Sequence, residues 1–558
     1  MITLLSLALA ADVPPVEAAL GVEMARAMKD LRLPEGAPPY VILYDVLEGE
    51  VVTSFAEFGA LVSSEKDDYR NLRTEVRVGD YTQDSSNFSS FGGGSGVGAR
   101  RLPAEDDPVA LRREIWLATD ASYKGAVENL ARKRAAVEGQ SGPRPADFSK
   151  VPPADAPYST TGPVAAAQGA RMSALAETLS GALRGHPVIE VGQAITRDWQ
   201  GRRLVLTSEG TRVWRATGYT VVRVEGTVRL PDGTEQRDAR SWIVRRPEDL
   251  PPEAEMLAEV REMADWLGKL PTAPKEEDYL GPVLFEGWAS QEVFSQLLAA
   301  EILGTPPETQ DGGSGGGQVP TARIGRRLLP EGWSVTDDAA GGVGLGAYPS
   351  DQEGVVPRKV KLVVDGVVRD VLMSRVPRAD RTLSTGHGRS LGNDRRAAMP
   401  GVVRVEARRL VSARRIEKHA LRLAAQTGHD YVLVIRRLEP PALSGELDIV
   451  FTGEGPLPGL TSPYEAYRLY ADGREEIVRG LRFSGVDRRL LKDIALASAG
   501  AGLVDTLDGP PGPGRYHIGP TGGVPVTWDV PAILVSEVEL TTAPGGDPRV
   551  LKVGAPAR

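Results

Sequence analysis

The sequence contains no cysteine and only five histidines. The lack of cysteine excludes disulfide bonds, thiolate nucleophiles and thiolate-ligated metals. No two histidines lie within five residues of each other, so no helix can present a local pair of imidazoles. Two glycine-rich loops, 92–98 and 312–317, lack the Gly-Lys-Ser/Thr ending of a phosphate-binding loop, and no Gly-x-Ser-x-Gly nucleophile motif occurs. Carboxylates are therefore the only plentiful metal ligands.

Long apolar runs are also missing. None approaches the ~20 residues of a membrane-spanning helix, which predicts no integral membrane segment. The short run Ile2–Leu9, followed by Ala8-Leu9-Ala10, predicts a signal peptide over residues 1–11 and export to the periplasm or the medium. If that run is instead a buried first element, the protein is cytoplasmic. The net charge of −9 argues against a nucleic-acid surface.

The length of 558 residues suggests roughly two to four domains. The high content of glycine (63) and proline (43) favours many turns and much β structure. The predicted fold class is α+β, with an N-terminal α+β region followed by a β-rich C-terminal domain of barrel or sandwich type. After the signal peptide, the predicted divisions are an N-terminal α+β domain at 12–138, a linker at 139–165, a middle α+β region at 166–275 and the β-rich domain at 276–558.

Apolar periodicity predicts the elements within these divisions. Helices are expected at 15–33, 108–137, 166–184, 253–268 and 485–499. Strands are expected at 39–45, 50–55, 72–79, 188–196, 202–208, 211–217, 219–230 and 236–246.

The stretch Leu280–Leu303 is the clearest local pattern. It begins as a short apolar strand, Pro282–Phe285, turns at Glu286-Gly287 and continues as a helix. Apolar residues recur there at the spacing of one buried helical face. By itself, the stretch predicts a strand that leads into a packed helix.

Two polar, glycine-containing loops in the β-rich domain are candidate binding sites, because binding groups often lie on loops between strands. The first contains Asp351 and Glu353, and the second contains His387 and Arg389. These side chains could line a peptide-binding cavity. Ordinary turn chemistry explains the same residues equally well.

Several motifs follow one another in an order that resembles the TldD/PmbA family, the "modulator of DNA gyrase" proteins. They are Gly79-Asp80-Tyr81 after strand 72–79, G-P-V-L-F-E-G at 281–287, D-Q-E-G-V at 351–355, S-T-G-H-G-R at 384–389 and P-A-I-L-V-S-E-V-E-L at 531–540. The resemblance implies a peptidase system. In that family a TldD-like subunit carries an H-E-x-x-x-H helix with a catalytic metal, and a PmbA/TldE-like subunit lacks the motif. The two enclose a chamber that degrades unfolded peptides.

Aligned on the strand–turn–helix stretch, Ser295, Gln296 and Ala300 occupy the positions of the two histidines and the glutamate. Metal-assisted hydrolysis needs imidazoles to hold the ion and a carboxylate to accept a proton from its water. These three residues supply neither, and the lack of cysteine removes the thiolate ligand that the resemblance implies for catalytic members. We therefore predict no catalytic residue, no metal site and no cofactor.

Three functional hypotheses remain. The first is the non-catalytic subunit of a peptidase heterodimer, with a TldD-like metallopeptidase as partner and an unfolded peptide as substrate. The second is a stand-alone metallopeptidase with a divergent site, in which His387 acts with Asp351 or Glu353. The third is a β-rich protein that binds or scaffolds peptides without any peptidase partner.

Overall fold

The computed structural model describes residues 13–89, 95–138, 144–161, 164–310, 322–391, 395–438, 459–509 and 523–542. The predicted signal peptide, loop 312–317 and part of loop 92–98 lie outside these residues. Within the described ranges, no helix has both the length and the apolar character needed to cross a membrane.

The helices that the structure describes are distributed over both halves of the chain. They are α1 (Pro15–Asp30), α2 (Pro108–Val137), α3 (Gly169–Gly181), α4 (Glu253–Lys269), α5 (Gly287–Leu297), α6 (Ala299–Ile302) and α7 (Ala413–Gln426).

Strands alternate with these helices. Those of the first half are β1 (Pro39–Glu57), β2 (Ala60–Val78), β3 (Phe88–Ser89), β4 (Val97–Arg101), β5 (Asp155–Ala156), β6 (Ile189–Thr207), β7 (Arg212–Arg229) and β8 (Glu235–Val244). Those of the second half are β9 (Tyr279–Phe285), β10 (Thr309–Gln310), β11 (Trp333–Asp337), β12 (Val360–Val364), β13 (Val367–Val368), β14 (Gly388–Arg389), β15 (Ala397–Ala398), β16 (Val402–Ala407), β17 (Tyr431–Leu438), β18 (Pro463–Tyr470), β19 (Glu475–Val478), β20 (Leu481–Phe483), β21 (Ile494–Ser498), β22 (Leu503–Asp508), β23 (Val524–Asp529) and β24 (Ala532–Thr542).

The first half forms one twisted sheet in the order β4-β2-β1-β6-β7-β5, with β8 also paired to β7. Strands from both sides of residues 139–165 therefore share a sheet. Helices α1 to α4 cover one of its faces, where alternate residues such as Ile42, Leu204 and Val222 are fully buried. Because successive side chains of a strand point to opposite faces, the intervening residues form the second face, which meets the C-terminal domain.

The C-terminal domain contains two larger sheets around one core, which confirms the predicted α+β class with a β-rich C-terminal region. The sheet orders are β13-β12-β11-β16-β23-β22 and β19-β18-β17-β9-β24-β20, with β21 also paired to β24. Helix α5 contributes to the core that both sheets share, and α7 covers the other face of the second sheet. This arrangement buries α5 on nearly all sides, as expected of a helix enclosed between layers.

The strand boundaries predicted from the sequence are wrong for β6 and β7, each of which was predicted as two strands. Residues 188–196 and 202–208 belong to the single strand β6, and 211–217 and 219–230 belong to β7. A Cβ on Gly201 would collide with the carbonyl of Glu48, and one on Gly218 with the carbonyl of Trp199. The glycines therefore permit close backbone approach inside strands rather than a turn between them.

Other predicted boundaries also change. Residues 39–45 and 50–55 are one strand, β1, and the strand predicted from residue 72 begins at Ala60, with its first nine residues exposed. No helix occupies 485–499, which instead holds a short 3₁₀ turn and β21. Helix α7 was missed, although Ile416, Ala420 and Ala424 lie on its buried side.

Candidate functional site

Helix α5 is positioned by β9, which lies between β17 and β24 inside the second C-terminal sheet. The chain leaves β9 at Phe285 and turns through Gly287, whose φ of 54° favours glycine. Val293 and Phe294 are fully buried in the shared core. The predicted strand–turn–helix is thereby confirmed, and its apolar face fixes which residues α5 presents on its polar side.

Two of the three aligned positions, Ser295 and Gln296, have hydrogen-bond partners within the protein. Gln296 donates to Thr461 Oγ1 at 2.9 Å and accepts from the Thr461 backbone N–H at 2.9 Å. Ser295 Oγ lies 3.2 Å from the Glu292 carbonyl and 3.3 Å from its carboxylate. Ala300 falls in α6, beyond the end of α5 at Leu297. The side chain of Gln296 thus ties α5 to the loop at 461.

The carboxylates near these positions are also engaged. Glu292 accepts from Gln296 Nε2 at 3.0 Å, and Glu301 pairs with Arg488 at 2.7 Å. Across the described part of the chain, no three His, Cys, Asp or Glu side chains lie close enough together to hold a metal ion. The residues present at the helix do not fit the metal that the family motif would bind, since amide, hydroxyl and methyl groups replace its ligands.

The two polar loops come together, but their side chains bind the protein itself. Asp351 Oδ2 accepts from the Gly388 N–H at 2.8 Å, which joins the first loop to the second. His387 Nε2 lies 3.1 Å from Asp337 Oδ1, and its Nδ1 lies 2.9 Å from Thr385 Oγ1. His387 is fully buried. Its ring faces Asp337 rather than the carboxylate of Asp351 or Glu353.

Burial and a neighbouring charge perturb the two carboxyl groups of the first loop. Burial raises the pKa of Asp351, although three backbone N–H groups donate to it. Burial and the nearby Asp351 raise the pKa of Glu353 to about 7. Glu353 Oε2 accepts from the Arg375 N–H at 2.7 Å, and its carboxylate packs against Gly388 so closely that a Cβ there would clash.

The raised pKa of Glu353 predicts a pH-dependent stability. A group whose pKa is higher in the folded state contributes stability below its ordinary pKa, and this contribution is lost as the pH rises through the folded value. Between pH 4.5 and about 7, the loss is at most about 3 kcal/mol. We expect the free energy of unfolding in urea to change less with pH for Glu353→Gln than for the parent over this range. Glu406 is exposed, so Glu406→Gln should leave the pH dependence unchanged. Parallel curves for Glu353→Gln and the parent would contradict this assignment.

Arg389 differs from the other three residues because it reaches a cavity. It donates to the carbonyls of Pro400 at 2.7 Å and Pro525 at 2.8 Å, and it lies over the Tyr348 ring at 4.8 Å. It also lines a cavity of about 670 Å³ between the N-terminal sheet and the C-terminal domain, whereas Asp351, Glu353 and His387 are not in that wall. Peptide binding through these loops stays a prediction. Of the four residues, Arg389 is the one that lines the cavity.

Several residues of this region could not be found from the sequence. Asp337 and Tyr348 surround His387 but lie far from it along the chain and outside any motif. Thr461, the partner of Gln296, follows a segment outside the described residues. In contrast, the alternation of arginine and tryptophan in 197–203 is a signal for one polar strand face.

Comparison with known proteins identifies the scaffold. Residues 281–410 match the family model described as "PmbA/TldA metallopeptidase C-terminal domain". No curated protein matches the sequence significantly. Solved structures with the same fold include TldE from Thermococcus kodakarensis, with 15% identity, a TM-score of 0.58 and coverage of 94% of this chain and 100% of that chain.

Two bacterial structures described as modulators of DNA gyrase are also similar. The one from Thermotoga maritima has 14% identity, a TM-score of 0.57 and coverage of 94% of this chain and 100% of that chain. The one from Bacteroides thetaiotaomicron has 11% identity, a TM-score of 0.56 and coverage of 94% and 98%. At these identities, the structural likeness establishes the fold.

The domain containing α5 is thus of the metallopeptidase-like class. Residues 281–410 form a C-terminal domain of the TldD/PmbA family, and the chain shares its fold with the TldE and gyrase-modulator structures, in agreement with the resemblance drawn from its sequence motifs.

Proposed function

We propose that this protein is the non-catalytic subunit of a TldD/TldE-type peptidase complex. The observation that carries the proposal is the set of three aligned positions on α5 and α6, where Gln296 is bonded to Thr461 and Ser295 to Glu292, and Ala300 offers no donor atom. The chain keeps the fold around the helix and replaces the groups that hold a metal and activate water. Its contribution is to enclose and bind the unfolded peptide that a TldD-like partner cleaves.

Metal content and peptide hydrolysis test this proposal directly. We expect the purified chain to bind no stoichiometric zinc and to leave an unfolded peptide intact. With a TldD-like partner that carries H-E-x-x-x-H, we expect a heterodimer and cleavage. The control is the same mixture with the motif glutamate of the partner replaced by glutamine, which removes the proton acceptor while preserving its size. Zinc-dependent cleavage by the isolated chain would refute the assignment.

The stand-alone metallopeptidase is the second hypothesis, and the geometry around His387 disfavours it. Both ring nitrogens already have partners within 3.1 Å, and the side chain is fully buried. If cleavage by the isolated chain were found and abolished by His387→Ala without unfolding, this hypothesis would replace the first. Peptide binding with no pairing to any TldD-like subunit would instead support the scaffold protein.

Export through residues 1–11 is part of the proposal and is tested by N-terminal sequencing of the mature protein.

A further inference from the structure

The second face of the N-terminal sheet carries an unusual concentration of arginine. We name the cavity above it the arginine cavity and define it by six wall residues. They are Arg197, Trp199, Arg203, Arg215, Tyr219 and Tyr348. The first five lie on β6 and β7 at alternate positions, so they share the face opposite helices α1 to α4. Tyr348 belongs to the C-terminal domain, which forms the other wall.

The described wall has a large excess of positive charge. Eight arginines and only two aspartates, Asp45 and Asp67, line it, and no glutamate does. Asp45 already forms ion pairs with Arg203 at 3.2 Å and with Arg396 at 3.0 Å. Arg73, Arg100 and Arg101 have ion pairs of their own, with Glu75, Glu114 and Asp67. The other four arginines of the described wall have no carboxylate partner among the described residues, and they are Arg197, Arg215, Arg245 and Arg389.

Two of these arginines stand out because their guanidinium groups have no ion pair or hydrogen bond with any described residue. They are Arg197 and Arg215, and the Nε atom of each is buried without a partner. Arg215 lies directly opposite Arg203 in the β6–β7 register. Like charges directly opposite each other on neighbouring strands destabilise a sheet. Burial and the nearby Arg203 and Arg389 also lower the pKa of Arg215 to about 9.

Aromatic side chains lie next to the arginines in the wall of the arginine cavity. Trp199 is opposite Tyr219 in the same register, with ring centroids 5.1 Å apart and an edge-on geometry. Tyr69 from β2 approaches Trp199 with a centroid distance of 6.4 Å. Apolar Leu47 and Val51 lie beside them. The cavity thus offers apolar surface next to groups that bind anions.

The mouth of the cavity is open to solvent. Ala216, Arg245 and Pro349 line the rim and are exposed. A volume of about 670 Å³ is in the range of cavities that hold small ligands, and a segment of a few residues fits it. The described part of the rim is therefore exposed to solvent.

We propose that the arginine cavity binds an acidic peptide segment, with its carboxylates on Arg197 and Arg215 and its apolar side chains against Trp199 and Tyr219. Planar guanidinium groups match carboxylates in charge and geometry. The adjoining aromatic side chains favour a peptide over a polyphosphate, because only the peptide brings apolar groups to cover them. The proposal concerns the isolated chain and does not require a catalytic partner, so it can fail while the proposed function stands.

Calorimetric titration of the full chain provides the test. The probe is the blocked peptide acetyl-Glu-Glu-Phe-Glu-Glu-amide, with the glutamine analogue of the same length as the uncharged control and tripolyphosphate as the phosphate arm. We expect the acidic peptide to bind at least about tenfold more tightly than either. Arg197→Gln and Arg215→Gln should each weaken its binding by about tenfold. Arg422→Gln, on an exposed position of α7, should not.

Thermal unfolding separates binding from structure. Because Arg215→Gln removes a like-charge pair, we expect its Tm to equal or exceed that of the parent while binding weakens. Unchanged binding by both arginine variants, or equal affinity for the acidic and uncharged peptides, would overturn the proposal. Tight binding of tripolyphosphate without binding of the peptide would overturn it in favour of a phosphate site.

Discussion

Replacement of Arg396 by methionine is expected to lower the free energy of unfolding by about 3–5 kcal/mol at pH 7. The Arg396 side chain is 3% exposed and donates to Glu75 at 2.6 Å and Asp45 at 3.0 Å. It is the C-terminal domain's contribution to a buried charge network in the N-terminal sheet. Methionine preserves the length of the side chain but leaves two buried carboxylates with one cation fewer. Urea unfolding monitored by tryptophan fluorescence measures the loss.

The same variant should change the response to acid. Burial alone would raise the pKa of Glu75, but Arg77, Arg73 and Arg396 outweigh it and hold the pKa well below its ordinary range. A lowered folded-state pKa contributes stability above the ordinary value of 4.5, and this is lost as the pH falls. Without Arg396, the pKa of Glu75 in the folded state is lowered by less. The stability of Arg396→Met should therefore fall less steeply than that of the parent below pH 4.5.

Arg404→Met is the matched control. Arg404 pairs with Asp529 at 2.8 Å, but the two side chains are 55% and 33% exposed. A pair in water contributes at most about 1 kcal/mol. Comparable losses for Arg396→Met and Arg404→Met would show that burial of the network is not what stabilises the contact between the domains.

Asp337→Ala should also be severe, with a loss of about 3 kcal/mol or more. Asp337 is fully buried, with Oδ2 2.8 Å from the Gly401 N–H and Oδ1 3.1 Å from His387 Nε2. Its removal leaves the Gly401 N–H and the imidazole without their partner in a site that water does not reach. Thermal and urea unfolding report the stability, and the ring signals of His387 in nuclear magnetic resonance spectra report the altered contact.

The neighbouring residue provides the comparison. Asp338 is 29% exposed, pairs with Lys359 at 3.3 Å and accepts from the Gly341 N–H at 3.0 Å. We expect Asp338→Ala to lose less than about 1 kcal/mol. Equal effects of the two alanine variants would mean that Asp337 does not hold the second polar loop through His387.

Local patterns in the sequence were sufficient for the helices of the first half and for the β9–α5 unit. These elements depend on contacts that are close in sequence and on one apolar periodicity. Local patterns divided β6 and β7 each into two predicted strands. Gly201 and Gly218 lie at these divisions, where they allow close backbone contact with β1 and β6 that a local pattern does not show. Helix α7 was missed because its many arginines masked a narrow buried stripe.

Local sequence patterns were also insufficient to define the candidate sites. The loops holding Asp351 and His387 could be singled out by composition, and they do meet through the Gly388 N–H. Their partner Asp337 could not be found, because only the tertiary fold brings β11 to the second loop. The arginine cavity was also invisible, since its walls combine alternate residues of several strands with loops of another domain.

The position of β24 has a consequence for how the chain acquires its structure during synthesis. Strand β24 pairs with β9 in the interior of its sheet, and Leu534 lies opposite Leu284. The core around α5 therefore cannot close until residues 532–542 have left the ribosome. Long-range pairing of this kind is slow and exposes apolar surface in the meantime. A nascent chain that stops before β24 is therefore a natural target for chaperones, whereas the sheet of the first half can form ahead of it.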